Sequence, residues 1–152
     1  TFYFESFETM VAQVQEMLHI EKGGDEQLND ELNAYNPLIP DGKNLKVTFM
    51  LEYPDEKERK VVLSQLIGIE DAISIQVEGF EAVYPIANED MPRSTEEKTS
   101  SVHFLRFEFS DEMIAAAKAG SNFSVSCEHP NYLHSVDTVA DDIRQSLLRD
   151  FD

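Results

Sequence analysis

Residues 102–127, VHFLRFEFSDEMIAAAKAGSNFSVSC, contain the pattern that decides the fold. Apolar and polar residues alternate over 102–109, which is the period of a strand with one buried face. Ser110 follows as a helix N-cap and Gly120 as the residue that ends a helix, so the residues between them are predicted to be helical. Alternation resumes over 121–127. The stretch therefore predicts a strand, a helix and a second strand in succession.

The same order of elements occurs earlier in the chain. Residues 45–53 alternate as a strand, Asp55 opens a helix with capping-box spacing to Glu58, and 73–77 alternate again. A short additional strand is expected over 82–86. Two β-α-β units predict an α+β fold in which an antiparallel sheet carries its helices mainly on one face. The specific topology that we expect is the ferredoxin-like split β-α-β sandwich.

The first 44 residues lie outside these two units. A strand is expected over 1–5, and the spacing of apolar residues from Phe7 to Leu18 is that of a helix. A second short helix is expected over 26–34. The sequence therefore predicts a strand and helical extension over 1–44.

The length of the chain, 152 residues, is that of one domain. We expect a single α+β domain over 1–152 in which 45–152 form the sheet core. Because Thr1 lies inside the first predicted strand, we also expect a further segment on its N-terminal side.

The charge of the chain excludes several kinds of partner. There are 12 Lys and Arg residues against 30 Asp and Glu, which gives a formal net charge of −18. Nucleic-acid binding requires a basic face, so neither DNA nor RNA is an expected partner. No apolar run reaches the roughly 18 residues of a membrane span. A single cysteine, Cys127, is typical of a reducing compartment, and we expect a cytoplasmic protein.

Three loops are unusual in length or composition: 35–44, 88–101 and 128–137. In a ferredoxin-like sheet they would lie side by side, because the starts of the first and third strands and the end of the fourth share one end of the sheet. Loops longer than about 12 residues are usually functional or disordered. We therefore expect a site where the three loops meet.

The residues expected to contact a ligand or partner at this site carry charged, imidazole or phenol groups: Glu97, Lys98, His103, Arg106, His129 and Tyr132. An alternative is a metal site for divalent iron or zinc, since imidazole and carboxylate are common ligands of these ions. Its ligands would be His103, His129, Glu89 and Asp90. A third interpretation is structural, because His103 lies on the apolar face of its strand and the charged residues can pair with one another.

Two further motifs favour no site. Glu16 and His19 have the Glu-x-x-His spacing of di-iron carboxylate proteins, but those proteins need two copies on different helices. Both side chains are predicted to face solvent. Cys127 shares an apolar strand face, and a buried thiol holds little thiolate, so it is a poor nucleophile.

Four segments, 13–18, 31–42, 97–108 and 129–132, resemble in order a bacterial family known as domain of unknown function 3501. The resemblance implies no particular reaction. It implies a preceding N-terminal segment with basic residues. Through the genes found near those of the family, it also implies an accessory role in peroxide or iron-linked redox metabolism. The partners implied are rubrerythrin-like proteins and an iron–sulfur oxidoreductase.

Overall fold

The computed structural model describes residues 1–152 and contains seven strands and five α-helices. The strands are β1 (Phe2–Glu5), β2 (Asn44–Met50), β3 (Ile73–Val77), β4 (Ile86–Ala87), β5 (Val102–Glu108), β6 (Phe123–His129) and β7 (Tyr132–Val136). The helices are α1 (Phe7–Glu21), α2 (Gly24–Tyr35), α3 (Glu56–Gln65), α4 (Asp111–Lys118) and α5 (Asp141–Leu147). None of them combines the length and apolar character needed to cross a membrane.

Three of the five helices begin at a side-chain cap. The Ser6 side chain accepts a hydrogen bond from the backbone N–H of Thr9, whose own side chain closes a capping box at the start of α1. At the starts of α3 and α4 the side chains of Asp55 and Ser110 accept the backbone N–H of Glu58 and of Met113, respectively, without a reciprocal bond. These side chains satisfy N–H groups that have no partner inside the helix.

The strands form two antiparallel sheets. The first has the order β1-β2-β5-β4 and the second has the order β3-β6-β7. In the first sheet β2 pairs with β5 from Asn44 opposite Glu108 to Met50 opposite Val102. The predicted α+β class with antiparallel sheets is therefore confirmed.

One core holds both sheets together. It contains 20 buried apolar residues, contributed by both sheets and by α3, α4 and α5. Phe107 on β5 and Phe123 on β6 are fully buried in it. The two N-terminal helices lie on the opposite face of the first sheet, where Met10 and Val14 are buried outside this core.

The ferredoxin-like order is wrong. It requires the first and third predicted strands to run parallel, but these strands are β2 and β5, which are antiparallel neighbours. The second and fourth predicted strands, β3 and β6, pair in the other sheet. Alternation shows which face of a strand is buried but not the direction of its neighbour. The long connection from β3 to β5 also allows the chain to return in either direction.

The segment 128–137, predicted to be a loop, instead contains the end of β6, a tight turn and the strand β7. β6 continues to His129, and β7 returns after the turn at Pro130 and Asn131. β7 was missed because four of its five residues are exposed, so no alternation between buried and polar positions marks it.

Candidate functional site

His103 lies on the core side of β5 and is fully buried. The side-chain oxygen of Asn88 accepts the backbone N–H of Phe104, so the amide nitrogen of Asn88 faces the imidazole and donates to Nδ1 at 3.0 Å. The proton of His103 is therefore on Nε2, which lies 3.0 Å from both the Ser100 carbonyl and Thr99 Oγ1. Both ring nitrogens are satisfied within the fold.

The hydrogen bonds continue from His103 to a buried carboxylate. Thr99 Oγ1 lies 2.8 Å from Ser94 Oγ, which donates to Glu70 Oε1 at 2.6 Å. Glu70 is 7% exposed, and the same oxygen lies 4.0 Å from His103 Nδ1. Burial lowers the pKa of His103, although the charge of Glu70 opposes this shift. The imidazole is therefore neutral and links the loop before β5 to the core.

His129 and Tyr132 lie at the β6–β7 turn. His129 Nε2 donates to the Ile67 carbonyl at 3.1 Å, and its Nδ1 accepts the backbone N–H of Asn131. The Asn131 side chain donates to the carbonyl of Gln65, the last residue of α3, at 2.8 Å. These contacts satisfy carbonyls at the end of α3 that have no partner within the helix. Tyr132 packs on His134, with 4.4 Å between ring centroids.

Glu97 and Lys98 lie in an exposed turn before β5. Their backbone N–H groups donate to Thr95 Oγ1, and the turn is closed by a bridge between Ser94 and Thr99. Neither side chain forms an ion pair.

The residues of the predicted metal site are not brought together. No group of three or more His, Cys, Asp and Glu side chains in the chain could hold a metal ion. His103 and His129 each use both ring nitrogens in separate networks, as described above. Glu89 binds Arg106, and Asp90 binds Arg93.

Arg106 lies on the outer face of β5 between two carboxylates. Its Nε and Nη2 donate to the two oxygens of Glu89, both at 2.8 Å, and its Nη1 donates to Glu108. The hydrogen bonds from Arg106 lower the pKa of Glu89, while both carboxylates raise the pKa of Arg106. The ion pair between Arg106 and Glu89 holds the segment after β4 over the first sheet.

A groove of ≈480 Å³, here called the hairpin groove, separates the α1–α2 helical hairpin from the outer face of the first sheet. Its lining residues come from α2 and the turn after it, from β2 and β5, and from the segment after β4: Asn33, Ala34, Tyr35, Pro37, Leu38, Lys46, Phe104, Leu105, Arg106, Glu89 and Asp90. α2 buries none of its residues, which shows that it does not close onto the sheet at this groove.

Lys46 lies on the floor of the hairpin groove. Its ammonium donates to the carbonyl of Pro37 and forms no ion pair. It is half-buried, whereas the other lysines of the chain are exposed. Two of its three N–H donors remain free for a ligand.

Parts of two of the loops that were predicted to form the site meet in this groove. They meet over the outer face of the first sheet and not at one end of a ferredoxin-like sheet. Tyr35 is the last residue of α2 and Leu38 follows the helix, while Glu89 and Asp90 follow β4 beside β5. The 128–137 segment does not line it. Of the predicted site residues, Arg106, Glu89 and Asp90 line the groove, whereas Lys46, Tyr35 and Phe104 were not predicted as site residues. In the sequence, the groove could have been recognised from the polar outer face of the sheet, which Lys46 and Arg106 share.

The fold and the groove together define an α+β protein with an open groove on the outer face of one sheet. The chain matches over residues 1–151 the family described as "Protein of unknown function (DUF3501)", and it belongs to this family. The family resemblance is confirmed.

The structure is similar to that of a protein from Burkholderia pseudomallei K96243, a "novel protein of unknown function" with a crystal structure at 1.90 Å resolution. The TM-score is 0.91 at 46% sequence identity, and the alignment covers 99% of this chain and 79% of that chain. A comparison with curated proteins gives no significant match.

Proposed function

We propose that this chain is an accessory binding domain that contacts a partner protein through the hairpin groove. The observation that carries the proposal is the half-buried ammonium of Lys46, which has no ion-pair partner and lies beside Phe104 and the paired Arg106 on the groove floor. A groove with apolar walls and a few fixed polar groups is the usual form of a binding site.

The nucleophilic and basic side chains Cys127, His103 and His129 are buried or hydrogen-bonded within the fold, which supports binding over catalysis. Burial raises the pKa of the Cys127 thiol, which lowers its thiolate content. The ring nitrogens of His103 and His129 are held by hydrogen bonds within the fold. These groups stabilise the structure that carries the groove.

The proposed partners follow from the family resemblance. They are rubrerythrin-like proteins and an iron–sulfur oxidoreductase, and the role proposed with them is an accessory one in cytoplasmic redox or iron metabolism. The charge of −18 favours a partner whose contacting surface is basic, because complementary charge speeds association.

The test measures binding of the purified rubrerythrin-like and iron–sulfur oxidoreductase proteins of the same organism by biolayer interferometry. We expect at least one of them to bind, and Lys46→Gln and Phe104→Ala each to weaken binding at least about tenfold, as for central interface residues. Lys60→Gln, an exposed lysine of α3, is the matched control and should leave the affinity unchanged. If neither protein binds, or if both groove variants bind as tightly as the wild type, the proposal is wrong.

A further inference from the structure

We infer that the hairpin groove recognises the C-terminal end of a partner's chain, with the terminal carboxylate on Lys46 and the preceding apolar side chains on Phe104, Tyr35 and Leu38. The inference rests on the proposed function and names the element that the groove would bind. Capture of chain ends through their terminal charge is a recurring mode of peptide recognition.

The charges in the groove favour one carboxylate at Lys46. Glu89 is neutralised by Arg106 through two hydrogen bonds, and Asp90 is paired with Arg93. Lys46 forms no ion pair and donates a hydrogen bond only to a neutral carbonyl, although its charge also acts on the nearby Glu89. A carboxylate bound there gains a charge-assisted hydrogen bond without breaking an existing ion pair.

The shape of the site favours a ligand that consists of several residues of an extended peptide chain. A neighbouring cavity of ≈390 Å³ shares Tyr35, Leu38 and Phe104 with the hairpin groove, so the two adjoin. Together they follow the outer face of the first sheet under α1 and α2. Ligand sites typically enclose about 300–1,000 Å³.

Polar groups along this surface favour a peptide over an acyl chain. The side chains of Asn33, Gln13 and Thr48 line the two cavities between apolar residues. Gln13 already donates to the Tyr35 hydroxyl at 3.3 Å, but an amide has further donor and acceptor capacity. Thr48 likewise donates to Glu5 Oε1 at 2.6 Å. A peptide backbone can use the remaining donors and acceptors of these groups, whereas an acyl chain would leave that capacity unused.

The test uses a set of fluorescein-labelled hexapeptides that carry every residue type at the last two positions, each made with a free C-terminal carboxylate and with a C-terminal amide. Binding to the full chain is followed by fluorescence polarisation. We expect peptides with apolar last residues to bind as free acids and about tenfold or more weakly as amides. Lys46→Gln should remove this difference and Lys60→Gln should keep it, with folding of both variants checked by circular dichroism.

Three results would overturn the inference: no peptide binds, amides bind as well as acids, or Lys46→Gln leaves the preference for acids intact. Dodecanoate is a competing probe, and binding of dodecanoate alone, dependent on Lys46, would replace the peptide with a small amphipathic acid. The partner-binding assay separates the two proposals. If the peptides fail while a partner protein still binds in a Lys46-dependent way, the accessory function stands and only the chain-end inference falls.

Discussion

Replacing His103 with leucine is expected to lower the free energy of unfolding by about 2–4 kcal/mol at pH 7.5, because each buried polar group left without a partner costs about 1–3 kcal/mol. Leucine fills much of the space of the imidazole but leaves the Asn88 amide and the Ser100 carbonyl unpaired. Urea denaturation followed by circular dichroism measures the change. His134→Leu is the control, because His134 is exposed on β7 and should shift the midpoint little.

The stability difference between the wild type and His103→Leu is also expected to depend on pH. Burial lowers the pKa of His103 in the folded protein, although the charges of Glu70 and Asp71 oppose this shift. The unfolded imidazole titrates near about 6.5. Below that pH the unfolded chain binds a proton that the folded protein does not bind, so acid favours unfolding. The difference in stability between the wild type and His103→Leu should therefore narrow from pH 7.5 to pH 5. A constant difference would contradict a neutral buried imidazole.

Local structure was predictable because short-range chemistry determines it. Asp55 and Ser110 each cap the helix that the sequence assigns to them, since a cap depends on residues within one turn. Direction and pairing of strands depend on residues far apart in the chain. The pairing of β2 with β5 and the addition of β1 beside β2 left no local signal.

The candidate site was predictable only in part for the same reason. Arg106 and the acidic residues 89 and 90 were expected near a site, and the structural interpretation of His103 agrees with its hydrogen bonds. Lys46 and Phe104 occupy the groove floor because β2 and β5 are neighbours and present the same outer face. The groove itself lies under a helical hairpin whose second helix buries no residue. Neither fact can be deduced from spacing along the chain.

Replacing Phe107 with alanine is expected to lower the free energy of unfolding by about 3–5 kcal/mol, the usual cost of removing a buried phenylalanine. Phe107 is 0% exposed, and its ring lies in the core between the two sheets. Alanine would leave a cavity there that the surrounding strands and helices cannot fill without moving. Thermal and urea unfolding of the full chain measure the loss.

Phe104 provides the matched comparison, because it lies on the opposite face of β5, three residues earlier in the chain. It is half-exposed in the groove, with the Arg93 guanidinium 4.6 Å from its ring centroid. Phe104→Ala should therefore cost only about 1–2 kcal/mol of stability but should remove binding in the groove. Phe107→Ala should retain binding, measured well below its unfolding temperature, since its ring does not line the groove. Equal losses of stability in the two variants would show that the outer face of the first sheet is part of the core, and the groove would then have no separate role.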